Sequence, residues 1–472
     1  MTAQSISERL DAAMMVLKTH DAMHLADGLD RLDEDALDAF VQQIAGIDFE
    51  EFARLRETPE TGETANAKIE PALVVPRRPE NEDAYRRAGA EAISRGEIAA
   101  FTVAGGQGTR LGWNGPKGTF PAACITGKPL FRMFAEQLNA IDAKYGITTS
   151  WYVMTSPLND RDTRAFFEDN NWFGRPLDSI LLFPQGVMPA MDDDGRIMLA
   201  EPGRIAVSPD GHGGSLRALD RSGALEHARS RGVRHLSYFQ VDNPSVRTID
   251  PLFVGLHLEH PESSVEMSSK MIPKANAAEK VGVFCRIDGR TQVIEYSDLP
   301  TGLAEETDDR GRLRFIAGSI AIHLLSVDFI QRLTRGDADS GLPFHRARKK
   351  VPYWDSDRGE TRQPDAPNAT KFEMFVFDAL HFADRGLVYE TDRVEEFAPI
   401  KNATGVDSAE SSAMLQTERA ARWFEANDVA VPRNAEGEVE GRIEISPATG
   451  LESCDLADVD LPKMEPGQDL VV

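Results

Sequence analysis

The stretch Ala104-Gly105-Gly106-Gln107-Gly108-Thr109-Arg110-Leu111-Gly112, followed by Pro116-Lys117-Gly118, decides how this chain is read. It comes directly after the apolar run Ile98-Ala99-Ala100-Phe101-Thr102-Val103, which reads as a buried strand. Small residues let a backbone pass close to a ligand, and the N–H groups of such a loop can face phosphate oxygens. From Gly105, Gly106 and Gly108 alone, a turn without any ligand reads equally well. Arg110 and Lys117 shift the reading toward a polyphosphate site with its own cations. The loop is not a P-loop, which needs Ser or Thr after the lysine, where this chain has Gly118. Nor is it the dinucleotide fingerprint, whose third glycine would fall on Leu111.

Working outward, the spacing of Ile6, Leu10, Met14 and Leu17 predicts a helix, and Leu32 to Ile47 a second one. The Pro, Glu and Thr content of residues 59–79 predicts an irregular connection, and residues 82–95 a helix entering the first strand. Further strands are expected at Trp151-Met154, Ile180-Phe183 and His235-Val241. A hairpin is expected from Val281-Cys285 and Gln292-Glu295 around an Asp288-Gly289 turn. Strands alternating with helices imply an α/β fold with a mainly parallel sheet covered on both faces. Ligands of such sheets bind beyond the carboxyl ends of the strands, where the glycine loop lies. A helix is expected near residues 411–427, then short strands and loops. The expected division is a helical N-terminal region (1–95), a catalytic domain (96–400) and a small C-terminal domain (401–472).

The chain has 472 residues, 41% of them hydrophobic, and a formal net charge of −25. The acidity argues against a general nucleic-acid or anionic-membrane binder, because both need a basic face. An anionic substrate must therefore meet a local basic pocket. Cys124, Cys285 and Cys454 form neither a disulfide framework nor a Cys-x-x-Cys metal motif. No signal peptide and no apolar run long enough to span a membrane is read, so a cytoplasmic protein is expected.

The glycine string and the Pro-Lys-Gly that follows resemble the signature of the UDP-sugar pyrophosphorylases, most closely the eukaryotic-type UDP-N-acetylglucosamine enzymes. Further elements of the pattern follow in order, from about residue 70 to about residue 447. Phe183-Pro184-Gln185-Gly186 resembles a segment beside the nucleobase, where the Gln185 amide would match the uracil edge. On spacing alone Gln185 reads as a solvated loop residue. In Pro209-Asp210-Gly211-His212-Gly213-Gly214, His212 stands where the N-acetylglucosamine enzymes have Asn and the UDP-glucose enzymes have His. Without the resemblance it is a turn histidine. Val241-Asp242-Asn243 ends a strand, and Asp242 reads either as a Mg²⁺ ligand or as the N-cap of the next helix.

Glu295-Tyr296-Ser297 resembles a sugar-pocket segment. Gly318-Ser319-Ile320-Ala321-Ile322-His323 departs from the family's Gly-Asn-Ile-x-Asn-His, with Ser319 and Ile322 in place of both Asn residues, so the resemblance does not carry the sugar over. The basic run around Lys349 and Lys350 is a solvated face by charge alone, and lies near the sugar phosphate by resemblance. Lys371-Phe-Glu-Met-Phe-Val-Phe-Asp378 matches a family helix, and Phe397-Ala-Pro-Ile-Lys401-Asn402 brings a further cation.

The resemblance implies a Rossmann-like nucleotidyltransferase (GT-A-like) sheet and reversible uridylyl transfer. UTP and a sugar 1-phosphate, N-acetylglucosamine 1-phosphate first, would give UDP-sugar and pyrophosphate. It implies catalytic roles for Arg110, Lys117 and Lys401 and Mg²⁺ on Asp242. Nucleotide contacts fall to Gly105, Gly106, Gly108, Gln185, Gly211, His212 and Asp242. Sugar contacts fall to Gly213, Glu295, Ser319, Ile322, Lys349 and Lys350. A glucose, galactose or broad-range enzyme, and a non-catalytic nucleotide-sugar sensor, stay open as alternatives.

Overall fold

The first strand forms where the apolar run puts it, as Ile98–Val103, and organises a central sheet. A computed structural model describes residues 5–57, 68–335 and 341–472. Across the sheet lie Val74–Val75, Leu387–Glu390, Met267–Pro273, Ala317–Ser326, His235–Gln240, Ile98–Val103, Trp151–Thr155 and Ile180–Pro184, in that order. Neighbours are parallel except where Ala317–Ser326 meets its two flanking strands. The hairpin forms as Val283–Ile287 and Arg290–Ile294, with Asp288 and Gly289 both at positive φ (50° and 86°). Two left-handed residues in succession suit the twist of a two-residue hairpin turn.

Both sheet faces are covered, as unbroken apolar strands require. Ile98, Ala100, Trp151, Val153 and Phe239 join Phe131, Phe134 and Leu138 of the Leu130–Tyr145 helix in the main core. The alternate side chains face the other way. There Phe101 meets the Tyr238 ring at 5.5 Å, and the Tyr152 hydroxyl bonds His227 of the Ala224–Ser230 helix at 2.9 Å. The Glu82–Ser94 and Pro251–Glu259 helices cross where Gly89 faces Pro251 and Gly255 faces Tyr85. A Cβ on Gly255 would lie 1.8 Å from the Tyr85 carbonyl oxygen.

The chain divides into two compact units, each discontinuous in sequence. The larger takes Ala67–Gln185, Ser215–Gly341 and Phe377–Val472 and holds the central sheet. The smaller takes Met1–Asn66, Gly186–Gly214 and Leu342–Val376. In it the expected helices form as Ile6–Thr19 and Glu34–Gly46, and a further helix, Phe49–Glu57, follows. Leu17, Phe40, Ile44 and Phe52 bury against Met188, Ile197, Leu199 and Phe372. Short antiparallel pairs complete this unit, among them His345–Lys349 with Ala369–Glu373.

Two expectations are corrected. The irregular connection over 59–79 contains strands Ile69–Pro71 and Val74–Val75, which extend the sheet by pairing with Val283–Ile287 and Leu387–Glu390. They are too short to show periodicity, and residues 59–67 lie outside the described residues. The segment Lys371–Asp378 is not a helix. Ala369, Thr370 and Phe372 are buried along the strand Ala369–Glu373, and a 3-10 helix, Val376–Phe382, follows. The pairing with His345–Lys349, remote in sequence, decides for the strand.

Gly255→Ala should lower the unfolding free energy of the full chain by about 1–3 kcal/mol or more, because the obstacle is backbone and cannot rotate away. Denaturant midpoints measure it; an unchanged midpoint would mean the two helices are not locked at this spacing.

Candidate functional site

The glycine loop leaves the sheet at Ala104 and closes on itself. Lys117 N–H donates to the Gly106 carbonyl at 3.0 Å, and Gly108 N–H to the Gly115 carbonyl at 2.9 Å. Each loop glycine has its own neighbour. A Cβ at Gly105 would lie 2.3 Å from Gln185 Oε1, and one at Gly108 would lie 2.7 Å from the Trp113 side chain. Gly106 is exposed and meets nothing closer than Lys117 Cε at 3.9 Å, so its backbone is open to a ligand. Arg110 is exposed on the short 3-10 turn Thr109–Leu111. Beneath the loop the fully buried Asn159 donates to the Ala104 and Gly106 carbonyls at 3.0 and 3.3 Å.

The neighbouring parallel strand His235–Gln240 ends one step short of Val241, whose N–H donates to Val103 O at 3.0 Å. That step delivers Asp242 beside the loop, its Oδ2 3.7 Å from Lys117 Nζ. Asp242 is not a helix cap; the next helix starts at Pro251 and is capped by Asp250. A third segment is tied to the same place. Ile400 N–H donates to the Asp242 carbonyl at 2.8 Å, and buried Asn243 bonds Glu396 O (2.7 Å) and Ala398 N (3.1 Å). Lys401 follows, with Nζ 5.6 Å from the Phe397 ring centre and its N–H on the Asp407 carbonyl. Burial pushes the Asp407 carboxyl above its usual range; Lys401 opposes this and Asp242 adds to it. Lys117, Lys401, Asp242 and Asp407 therefore share one charged neighbourhood.

This arrangement rests on a buried ion cluster. Lys270 has no exposed surface, and its Nζ lies 2.6 Å from Asp250 Oδ2 and 2.6 Å from Glu396 Oε2. Burial alone would raise the Asp250 pKa, but Lys270 and Arg247 outweigh it and hold the carboxyl below its usual range.

Glu295 and Ser319 come together around Gly282. Ser319 N–H donates to Gly282 O at 2.8 Å, and a Cβ on Gly282 would lie 3.7 Å from Glu295 Oε1. Ile322 faces the main core with Ile320 and Leu324 and is 2% exposed. Between them Ala321 adopts φ 54° where the strand slips register against Ser269 and Met271. Sequence spacing alone could not show this irregularity.

In the smaller unit, Gly211 (φ 83°) and Gly213 sit against the Met374 backbone, and Gly213 N–H donates to Met374 O at 2.8 Å. The His212 ring stacks on Phe375 at 5.3 Å, and its Nδ1 accepts from Val376 N–H at 3.2 Å. Burial, then the nearby His345, push its pKa down to about 4. With Nδ1 accepting, the neutral ring carries its proton on Nε2, a donor like that of an Asn amide. Lys349 and Lys350 are exposed at the end of the His345–Lys349 strand. Sequence reasoning missed Asn159, Asn243 and Asp407. Asn243 was within reach, standing inside a recognised motif; the other two are visible only once the loops meet.

Among the described residues, no cluster of three or more His, Cys, Asp or Glu side chains is placed to hold a metal. A lone buried carboxylate fits a hard cation that takes most of its ligands from phosphates and water.

Residues 52–427 match the model of the UTP–glucose-1-phosphate uridylyltransferase family. The chain is 37% identical over 345 residues to the UDP-N-acetylhexosamine pyrophosphorylase-like protein 1 of Xenopus tropicalis, covering 72% of this chain and 66% of that protein. It is 36% identical to the UDP-N-acetylglucosamine pyrophosphorylase of Saccharomyces cerevisiae, covering 73% of each. Among solved structures it is similar to the Trypanosoma brucei UDP-N-acetylglucosamine pyrophosphorylase bound to an inhibitor. That match has a TM-score of 0.81 and 27% identity, over 97% of this chain and 95% of that one.

Two predictions follow from this geometry. Lys270→Met should cost about 3–5 kcal/mol, since it removes the cation bonded to both Asp250 and Glu396 and leaves Arg247 near them; thermal or denaturant unfolding reads it. The His212 ring should titrate near 4 by NMR and stay neutral from pH 6 to 8. Because the unfolded chain takes that proton near pH 6.5, the ring opposes folding progressively as pH falls from about 6.5 toward its folded value.

Proposed function

The chain belongs to the UTP–glucose-1-phosphate uridylyltransferase family, and from that premise we infer that it transfers a uridylyl group from UTP to N-acetylglucosamine 1-phosphate. The products are UDP-N-acetylglucosamine and pyrophosphate. The sugar assignment is supported by relatives named for N-acetylglucosamine at 33–36% identity. The observation that carries the chemistry is the junction of two strand ends. There Lys117 and Asp242 stand 3.7 Å apart beside the open backbone of Gly106.

A sugar-phosphate oxygen attacks the α-phosphorus of UTP in line; the new O–P bond forms as the bond to pyrophosphate breaks. The nucleophile is already an anion, so no side chain has to remove a proton. Catalysis then lies in positioning and in neutralising phosphate charge. Arg110 and Lys117 hold the β- and γ-phosphates with the loop N–H groups, and Lys401 holds the sugar phosphate. Asp242 and phosphate oxygens would hold Mg²⁺, whose charge offsets that on the phosphates. The Gln185 amide, Gly211 and His212 are assigned to the uridine. Glu295 and Ser319 are assigned to the sugar hydroxyls, with Gly213, Lys349 and Lys350 toward the sugar phosphate. Ile322 acts from the core, shaping the strand that carries Ser319. The three cysteines are free thiols, in keeping with work in the reducing cytoplasm.

The test is pyrophosphate release from UTP and Mg²⁺ with N-acetylglucosamine, N-acetylgalactosamine, glucose and galactose 1-phosphates. N-acetylglucosamine 1-phosphate should be turned over fastest. Turnover confined to glucose or galactose 1-phosphate would replace the sugar assignment, and UTP binding without any release would point to a sensor. Lys117→Ala should lower kcat by about 10²-fold or more with the fold intact; near-normal turnover would remove Lys117 from the phosphates.

A further inference from the structure

Two residues beyond Asp242, Pro244 and Ser245 line a cleft that shares no residue with the 104–118 loop. Its other walls come from the Leu130–Tyr145 helix, the Ala409–Ala426 helix and the Gly441–Glu444 strand. Its water-accessible interior is about 100 Å³, enough for a small group, with the rest of a ligand lying in the open mouth. Met133, Trp423, Ile443 and Leu451 make much of it apolar.

Arg419 enters this apolar surface with little to hold it. Its guanidinium lies 4.7 Å from the Trp423 ring centre and donates one hydrogen bond, Nη1 to the Ser245 carbonyl at 3.1 Å. Its Nε is 3.9 Å from Glu395 Oε2, beyond hydrogen-bond reach, and that oxygen already accepts from Arg247 and Trp423. A guanidinium has five N–H donors in a planar fork. Burial pushes the Arg419 pKa down to about 10, and Glu395 and Glu396 only partly restore it against Arg247. The group is charged at neutral pH, and with its side chain 18% exposed its remaining donors reach the open side of the cleft. The other charges in the cleft are matched. Glu136 takes Lys128 at 2.8 Å, and Glu444 accepts from Ile125 and Thr126. The Cys124 thiol is neutral, its pKa pushed up to about 11 chiefly by burial. The Ser245 hydroxyl, fully buried at the base of the same wall, has no hydrogen-bond partner.

We propose that this cleft binds a small organic anion with an apolar body, its carboxylate or phosphate on Arg419 and the Ser245 hydroxyl and its body against Trp423, Met133 and Ile443. Planar oxyanions suit the fork of a guanidinium, and the bond strengthens where water is thin. The site also adjoins the strand end that carries Asp242. The Ser245 carbonyl is Arg419's acceptor, and Ser245 N–H donates to Asn243 Oδ1 at 3.3 Å.

The probe is 8-anilinonaphthalene-1-sulfonate, a flat apolar body with one sulfonate, titrated into the full chain by fluorescence with UTP present in excess. One probe per chain should bind, and Arg419→Met should raise its Kd about tenfold or more, the worth of one charged hydrogen bond. Met133→Trp, which fills the cleft and leaves Arg419 in place, should do the same, and it decides the matter if circular dichroism shows Arg419→Met unfolded. The uncharged N-phenyl-1-naphthylamine should not bind comparably. Equal probe affinity in both folded variants, or displacement by UTP, would overturn the proposal. The readout needs no turnover, so a failed transferase assay leaves it standing, and its own failure leaves the transferase reading untouched.

Discussion

One backbone hydrogen bond, Val241 N–H to Val103 O at 3.0 Å, aligns the ends of two parallel strands. The glycine loop and Asp242 are placed from that alignment. Parallel strands carry their loops out at the same edge, so the loop after Ile98–Val103 and the carboxylate after His235–Gln240 arrive together. Burial on both faces prevents slippage: a one-residue shift would put Phe101 and Tyr238 on the wrong side and drive Ala100 and Phe239 out of theirs.

An acidic chain has to make room for substrates that are more acidic still. It does so by pairing its buried charges so that few remain to repel. Lys270 neutralises Asp250 and Glu396 beneath the site, and Asn243 ties the Glu396–Ala398 backbone to the strand end. The segment running on to Lys401 is therefore clamped at both sides of Glu396. Lys117 and Lys401 have Asp242 and Asp407 as their carboxylate neighbours. The cation that the family's chemistry calls for would tip this balance further toward phosphate.

The strands Ile98–Val103, Trp151–Thr155 and Ile180–Pro184 were legible because doubly buried strands are unbroken apolar runs. The places of Arg110 and Lys117 on the loop and of Asp242 at a strand end were legible because glycine spacing and strand ends are local signals. The Lys371–Asp378 segment misled because Phe372, Met374, Phe375 and Phe377 suit a helix and a strand alike. Its partner, His345–Lys349, lies some two dozen residues away. Ile322 shares the core face of its strand with Ile320 and Leu324, as alternation along a strand places it.

By itself the sequence determined the α/β alternation, the position of the glycine loop at the end of its strand and the residue types that the loop carries. These depend on neighbours within a few positions, where periodicity and turn chemistry act directly. Only the tertiary structure decided which charges share a site. Asn159 under the glycine loop, Asn243 across to Ala398, and Asp407 beside Lys401 are brought in from distant stretches. It alone also decided that the His212 ring presents Nε2–H, since the acceptor role of Nδ1 depends on Val376, 164 positions away. The physical reason is the same in each case. Burial and hydrogen-bond partners belong to the folded surroundings, and a sequence shows a residue's chemistry without showing what surrounds it.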